Sequence, residues 1–413
     1  MTSSIADATW LASPETKAVM AALDAARPGG ARFVGGCVRN TLMGHPVDDI
    51  DIATRLTPDV VTDVAHKAGF AAAPTGIEHG TVTVIANHKP FEVTTLRRDV
   101  TTDGRHATVA FTESWEEDAG RRDFRVNALY ADANGMVHDP TGGGLEDARA
   151  GKIIFIGDAQ TRLREDHLRI LRFFRFSAWY AKGELDPRGL KACKAMREGI
   201  DALSAERVWK EFKKLLAAPD PRVALDGMAA IGVLARVALE ATQLERLRRL
   251  IDIEDRLVLP HDPVTRAAAL LENETGARAF ARRMKASNEE RDRLVGALGA
   301  EPRFVSYMSM REVRRALYAL GQETFEDRTR LAWANDTGAR TTPQWRALLA
   351  LSQSWMRPVL PLTGEDIVAA GVPAGPKVGA VRREVEAWWI DADFPDDKLS
   401  LVERLKAVAQ GLS

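Results

Sequence analysis

A chain of 413 residues with 45% hydrophobic content and a formal net charge of -1 is long and apolar enough for roughly two to four globular domains, so a disordered chain is not expected. Its two cysteines, Cys37 and Cys193, cannot build a disulfide framework or a cysteine zinc site. The N-terminus lacks a basic region followed by an apolar core, and no stretch reaches membrane-spanning length, so we expect a cytoplasmic protein with no membrane partner.

The densest set of chemically useful residues follows a predicted strand that begins at Phe33. An apolar run enters Gly35 and Gly36, where the absence of side chains lets backbone N–H groups approach a phosphate. Further on, isoleucines alternate with Asp49 and Asp51, which predicts a strand with both carboxylates on one face. Two acids on one face repel each other unless a cation lies between them, and carboxylate oxygens suit a hard cation such as Mg²⁺.

A strand, a Gly-Gly pair, a helix bearing Val-Arg and then Asp-x-Asp resemble the nucleotidyltransferase superfamily that includes DNA polymerase β, most closely its tRNA CCA-adding and bacterial poly(A) polymerase branch. The resemblance implies an α+β nucleotidyltransferase head, a small mixed sheet with helices, followed by an all-α neck, body and tail. It implies that the Gly-Gly pair and Arg39 bind the nucleotide and that Asp49 and Asp51 are catalytic and bind Mg²⁺. Asn40 stands where these enzymes often have Asp, which leaves a local helix contact open.

Local patterns predict the elements around this stretch. A helix is predicted over residues 14–26 and another from Thr57, a cap followed by a first-turn proline. β-Branched runs at 79–85 and 91–96 predict a hairpin. Glu92 alternates with apolar neighbours there; the resemblance makes it a candidate third catalytic carboxylate, and an exposed polar residue on an edge strand is the other interpretation.

Two polar stretches come next. Residues 97–106 are turn-rich and predict a mobile loop, and in CCA-adding enzymes a flexible loop at this position helps the switch from C to A addition. Residues 116–129 begin acidic and become basic, which predicts a helix. They include Arg-Arg-Asp-Phe-x-x-Asn-Ala, which resembles a family motif and implies that Arg122 binds the triphosphate and that Asp123 or Asn127 binds a ribose hydroxyl. An ion-pair face on a helix is the alternative.

Positive charge is concentrated in residues 151–216, with 15 Lys and Arg against 9 Asp and Glu, where a phosphate-rich partner would favour it. A helix predicted over 165–176 places aromatics among acids and arginines on one side, as a nucleotide cleft would. Glu-Asp-x-x-Arg with two later arginines resembles the amino-acid template of CCA-adding enzymes, which implies selection of C and A by their base edges. This group consists of Asp166, Arg169, Arg172 and Arg175. An internal ion pair of Glu165 with Arg169 is the competing interpretation.

The remaining segments carry weaker signals. Residues 139–147 predict a turn. This turn is either a hinge that closes the first domain or a helix cap. A helix is predicted over 204–216, and helices fill the chain from about 220 onward. Residues 363–379 predict a tight helix–helix turn, with N–H groups exposed to a backbone phosphate as the alternative.

The resemblance divides the chain into a catalytic head (1–150), a nucleotide-selecting neck (151–216) and an RNA-binding body and tail (217–413). It implies a metal-dependent tRNA nucleotidyltransferase that adds C, C and A to tRNA 3′ ends from CTP and ATP without a nucleic-acid template. A poly(A) polymerase, or a non-catalytic RNA-binding protein with a vestigial head, are the alternatives. The sequence leaves open whether C and A are both added, which tRNAs are preferred and whether the protein dimerises.

Overall fold

The computed structural model describes residues 3–102 and 107–411, and the chain divides into two compact units, Met1–Leu239 and Glu240–Ser413. The first unit contains an α+β head followed by helices, and the described residues of the second unit form helices and one isolated bridge, Ala241–Leu271, as predicted for the fold class. The functional division at residues 150 and 216 stays a prediction. None of the helices in the described part of the chain is long and apolar enough to cross a membrane.

The strands are β1 (Ala31–Val34), β2 (Asp51–Thr54), β3 (Ala71–Gly76), β4 (Thr81–Ala86), β5 (Lys89–Thr95), β6 (Arg97–Thr102), β7 (Ala107–Phe111), β8 (Tyr130–Ala131) and β9 (Val137–His138). The helices of the first unit are α1 (Thr9–Ala12), α2 (Pro14–Ala26), α3 (Gly36–Met43), α4 (Pro58–Lys67), α5 (Trp115–Gly120), α6 (Gly144–Ala150), α7 (Ala159–Glu165), α8 (Leu168–Tyr180), α9 (Pro187–Met196), α10 (Ala205–Leu216), α11 (Arg222–Ala230) and α12 (Val233–Val237). The helices of the second unit are α13 (Leu244–Leu257), α14 (Pro263–Leu270), α15 (Glu274–Met284), α16 (Asn288–Ala297), α17 (Met310–Leu320), α18 (Gln322–Asn335), α19 (Thr342–Ser354), α20 (Gly364–Ala369), α21 (Pro376–Asp391) and α22 (Lys398–Gly411).

The head is built on a mixed sheet. Within the described residues it has seven strands in the order β3-β4-β5-β2-β1-β8-β9. β2 and β5 run parallel, while the other neighbouring pairs are antiparallel. The parallel pair sets Asp51 opposite Glu92. Directly opposed residues project from the same face of a sheet, so this register brings the two carboxylates together.

Two buried groups of side chains hold the head in place. One packs under the sheet around Leu96, Trp115 and Tyr130. In the other, Phe155 stacks on Phe173 with ring centroids 5.5 Å apart, and Phe124 lies 4.8 Å from Phe155. The second group fastens the Arg-Asp-Phe segment of the head to α8.

Several local predictions are confirmed. The helix over 14–26 is α2, the helix after Thr57 is α4, and the hairpin is the antiparallel pair β4–β5. The helix over 204–216 is α10, and the chain beyond 220 is helical as expected. The loop prediction for 97–106 is wrong for residues 97–102, which form β6 and pair with β7, because Val and Thr in this stretch favour an extended backbone. Residues 103–106 lie outside the described part.

Both helices predicted to carry site residues have other bounds than expected. The helix over 116–129 ends at Gly120; Phe124 instead bridges to Phe155, since backbone pairing with the 154–156 segment replaces helical bonds. The helix over 165–176 is divided between α7 and α8, because the Asp166 backbone is extended (φ -155°) and its carboxylate accepts the Leu168 N–H at 3.0 Å.

Two turn predictions are resolved by the hydrogen bonds. Asp139 accepts the N–H groups of Gly143 and Leu145 at the start of α6, so the helix-cap interpretation is confirmed; the hinge stays a prediction. Thr363 and Asp366 form a capping box on α20, and the stretch up to α21 is a tight helix–helix turn, as favoured.

Candidate active site

Three carboxylates lie near the start of the parallel strand pair. Asp51 is the first residue of β2, Glu92 stands opposite it on β5, and Asp49 precedes the strand by two residues. The predicted alternation of buried and exposed side chains is present, since Ile50 and Ile52 are buried and Asp49 is exposed. Glu92 is also exposed. The strand itself, however, begins only at Asp51.

The electrostatics of this group favour a cation. Burial, and then the neighbouring Glu92, raise the pKa of Asp51 to about 6; Arg122 acts in the opposite direction, and Asp49 adds to the rise. No hydrogen bond or ion pair reaches these three carboxylate groups from any residue within 3–102 and 107–411. Acidic neighbours that raise the pKa of Asp51 favour a nearby cation, and carboxylate oxygens suit a hard divalent ion.

The described part of the chain contains no group of three or more His, Cys, Asp or Glu side chains close enough to enclose a metal ion. An ion held here would therefore take further ligands from water and from substrate phosphate, which is how Mg²⁺-type ions are usually bound in phosphoryl-transfer sites.

The turn from β1 into α3 is the predicted phosphate-binding turn. Gly35 has φ +69°, a conformation that side chains rarely adopt, and a Cβ there would lie 3.6 Å from Arg122 Nη1. The first helical hydrogen bond of α3 runs from the Arg39 N–H to the Gly35 carbonyl, at 2.9 Å. The preceding amides at 36–38 lie at the helix N-terminus, where an anion is favoured.

Asp118, which the sequence did not single out, fixes Arg122. This buried carboxylate accepts from Tyr130 Oη at 2.7 Å and from Arg122 Nη2 at 3.1 Å, and it pairs with Arg121 at 2.8 Å. Burial alone would raise the pKa of Asp118, but Arg122, Arg121 and the Tyr130 hydrogen bond outweigh it and lower the pKa to about 2. Arg122 is therefore held as a cation next to Gly35.

Four other predicted residues form one network. Arg39 donates to Asn127 Oδ1, Asn127 Nδ2 donates to Asp123 Oδ1 at 2.9 Å, and Arg172 Nε donates to Asp123 Oδ2 at 2.7 Å. Asn40 Oδ1 accepts a hydrogen bond from Arg39 Nη2 at 2.8 Å. The replacement of the usual Asp by Asn had left a local helix contact open, and Asn40 makes such a contact. These side chains position one another, and their direct contact with a nucleotide stays a prediction.

The residues of the expected base-selecting group also have protein partners. Arg169 pairs with Glu165, which confirms that the competing ion pair exists, and its Nη2 donates to the Arg121 carbonyl at 3.1 Å. Asp166 pairs with Arg207 at 2.8 Å, and Arg175 pairs with Glu211 at 3.1 Å.

Sequence reasoning missed both α10 partners. Arg207 and Glu211 stand four residues apart on α10, a spacing that is typical of an ion pair within one helix and gives no sign of a partner elsewhere. Beside them, a cavity of about 400 Å³ has Arg39, Arg175 and Lys214 among its lining residues, so positive charge borders open space here.

Comparison with known proteins identifies the family of the head and of the helices that follow it. Residues 31–154 match the family described as Poly A polymerase head domain, and residues 184–244 match the family described as Probable RNA and SrmB- binding site of polymerase A. The fold and the carboxylate site thus define a nucleotidyltransferase, a class of enzyme that depends on divalent metal ions.

The relatives specify the branch. The human protein CCA tRNA nucleotidyltransferase 1, mitochondrial, is 31% identical over 389 residues, which cover 91% of this chain and 86% of that protein. A CCA-adding enzyme of Streptococcus pneumoniae is 38% identical over 263 residues, 63% of this chain and 64% of that protein. The crystal structure of the Bacillus stearothermophilus CCA-adding enzyme in complex with CTP superposes with a TM-score of 0.75 and 30% identity, covering 96% of this chain and 98% of that one. The chain belongs to the CCA-adding tRNA nucleotidyltransferase family.

Proposed function

We propose that this chain acts in the cytoplasm to add C, C and A to tRNA 3′ ends from CTP and ATP, without a nucleic-acid template and with Mg²⁺ as its metal ion. The observation that carries the proposal is the group of Asp49, Asp51 and Glu92, which has no protein partner in the described residues and lies beside the Gly35 turn. The two buried free cysteines are compatible with a reducing compartment.

Asp49 and Asp51 would hold Mg²⁺, which supplies activation of the RNA 3′-hydroxyl and neutralises charge on the triphosphate. The amides at the start of α3 and the guanidinium of Arg122 bind the triphosphate oxygens. Asp118 keeps Arg122 aimed at them, because it fixes the other edge of that guanidinium. Glu92, opposite Asp51, is the third carboxylate of the site.

Base selection falls to the junction of α7 and α8. The Asp166 carboxylate accepts a hydrogen bond from the exocyclic amino group of cytosine or adenine, and Arg169 donates to a ring acceptor. Uracil and guanine present the opposite donor and acceptor pattern at these positions, so the same two side chains reject them. Arg172 and Arg175 position this group, since they anchor α8 to Asp123 and to Glu211.

Extension of a tRNA that lacks its terminal CCA tests the proposal. With Mg²⁺ we expect two added nucleotides with CTP alone and three with CTP plus ATP; no extension would refute the activity, and a long tail with ATP alone would identify a poly(A) polymerase. Asp49→Ala and Asp51→Ala should each abolish incorporation, whereas Asp48→Ala, at an exposed acid outside the alternation, should retain it. Fractionation of cells that express the tagged chain tests the cytoplasmic location.

A further inference from the structure

The cavity of about 400 Å³ in the first unit has no role in the proposed function so far. It lies where the loop between α3 and β2, the C-terminal half of α8 and the end of α10 meet. Aromatic rings and cations share its lining, and the single carboxylate among its described lining residues is that of Asp48. The charged and aromatic side chains used below are those of Arg39, Asp48, Arg175, Trp179, Tyr180 and Lys214.

The cations of this cavity are only partly neutralised by the protein. Arg175 pairs with Glu211, but Arg39 is buried and its guanidinium donates to uncharged oxygens. Lys214 is exposed, and its ammonium group makes no ion pair within residues 3–102 and 107–411. This excess of positive charge favours a ligand that carries phosphate.

An aromatic ring beside these cations is open to a ligand. Tyr180 already contacts the Arg39 guanidinium, 4.2 Å from its ring centroid, and the ring of His45 at 5.0 Å. Trp179 is half-buried, and its indole N–H donates to the Lys214 carbonyl at 2.7 Å, which holds the ring at the cavity. Its ring contact among the described residues is a tilted one with Tyr180, at 6.5 Å. The Trp179 ring is therefore the one placed to stack on a base.

The position of the cavity separates it from the base-selecting junction. Arg169 and Trp179 lie ten residues apart on α8, which is about 15 Å along the helix axis. On another side of the cavity, Asp48 immediately precedes Asp49 of the carboxylate group. An RNA whose 3′-hydroxyl reaches the carboxylates thus has this cavity within reach of its last base, while the incoming base occupies the junction.

We propose that this cavity holds the last nucleotide of the tRNA substrate, with Trp179 stacked on its base and Lys214 beside its phosphate; the inference rests on the proposed function. The last nucleotide changes after each addition, so the subsite must accept more than one base. Stacking meets this requirement because every base has a π face, whereas hydrogen bonds to a base edge would favour one base over the others.

A tRNA that lacks CCA and ends in an abasic ribose, with its 3′-hydroxyl retained, tests this subsite in CTP incorporation assays. For the wild-type chain we expect kcat/KM to be about tenfold lower on the abasic tRNA than on the intact tRNA, because the stacking contact is lost. Trp179→Leu should lower kcat/KM by a similar factor on the intact tRNA and hardly at all on the abasic tRNA, with KM for CTP unchanged. Trp179→Phe should restore most of the preference for the intact tRNA.

Two further variants separate stacking from other losses. Lys214→Gln should raise KM for both tRNAs by the same factor, since the abasic tRNA keeps its phosphate. Trp10→Leu is the matched control, because Trp10 is also half-buried and donates its indole N–H, to Thr41 at 2.8 Å, but lies outside the cavity. It should keep the wild-type ratio between the two tRNAs.

Two results would overturn the inference while the wild-type chain still extends the intact tRNA. One is a wild-type chain that uses both tRNAs equally well, and the other is an equal loss on both tRNAs in Trp179→Leu. The first of these measurements needs no variant, so it decides the question even where a substitution impairs folding. Absence of extension of the intact tRNA by the wild-type chain would instead refute the proposed function.

Discussion

Replacing Asp118 by Asn removes one negative charge from the interior of the head and leaves the side-chain volume almost unchanged. The residue is 1% exposed and accepts from Tyr130, Arg121 and Arg122. Because the asparagine amide is neutral, it keeps part of the hydrogen bonding but loses the charge that holds both guanidinium groups.

The size of the effect follows from the pKa. The fall from an ordinary value of 3.8 to about 2 in Asp118 corresponds, at about 1.4 kcal/mol per pKa unit, to about 2.5 kcal/mol in favour of the charged form. The variant loses that preference and leaves two cations without their shared anion. We therefore expect Asp118→Asn to lower the free energy of unfolding by about 2 to 4 kcal/mol.

Urea unfolding followed by tryptophan fluorescence at pH 7 measures this loss, and Glu116→Gln, at an exposed acid of the same helix, should stay within about 0.5 kcal/mol of wild type. Since the pKa of Asp118 is lower in the folded state, its contribution is present above about pH 4 and is lost as the pH falls towards 2. Asp118→Asn should lack this pH-dependent contribution to stability. It should also raise KM for CTP, because Arg122 loses the carboxylate that holds it in position. Unchanged stability at pH 7 together with an unchanged pH profile would refute the assignment.

Three more predictions concern other parts of the chain. Burial raises the pKa of Glu254 from 4.5 to about 7, so the folded chain binds an extra proton between these two pH values and its stability falls as the pH rises through them. The unfolding free energy of wild type minus that of Glu254→Gln should therefore decrease from pH 5 to pH 8, and a constant value would contradict the raised pKa. Arg207→Met leaves Asp166 without its partner and should reduce the ratio of kcat/KM for CTP over UTP several-fold in single-nucleotide extension assays, and an unchanged ratio would contradict the positioning role. Gly35→Ala should lower the free energy of unfolding by about 1 to 2 kcal/mol in thermal or urea unfolding because of its positive φ, whereas Gly36→Ala should not.

What the sequence reveals is mainly local. Gly35, Gly36 and the Asp49–Asp51 alternation lie within one short stretch, so their spacing alone predicts a turn and an acidic face. Asp118 gives no such signal, because an acid in the first turn of a helix is ordinary and its role depends on Tyr130, twelve residues further along. Arg207 lies 41 residues beyond Asp166, and no local pattern connects the two.

The same limit explains why one predicted helix is shortened and the other is interrupted at Asp166. Charge and periodicity favour a continuous helix through Asp166, but its side chain satisfies the Leu168 amide and turns the chain before α8. After Gly120, pairing of Phe124 with Phe155 competes with the helix, and that pairing joins segments about 30 residues apart in the sequence. Tertiary contacts therefore decide where both site-bearing helices end.

The contacts between the head and α8 make phosphate binding and base selection parts of one structure. Arg172 donates to Asp123 at 2.7 Å, Arg169 donates to the Arg121 carbonyl at 3.1 Å, and Tyr180 accepts from Arg39 at 2.9 Å. Each contact joins a residue of the head motifs to a residue of α8, so the position of the base-selecting group is fixed relative to the carboxylates and the Gly35 turn. These side chains hold α8 against the head, so short motifs separated in the sequence lie where the proposed function requires them to act on one nucleotide.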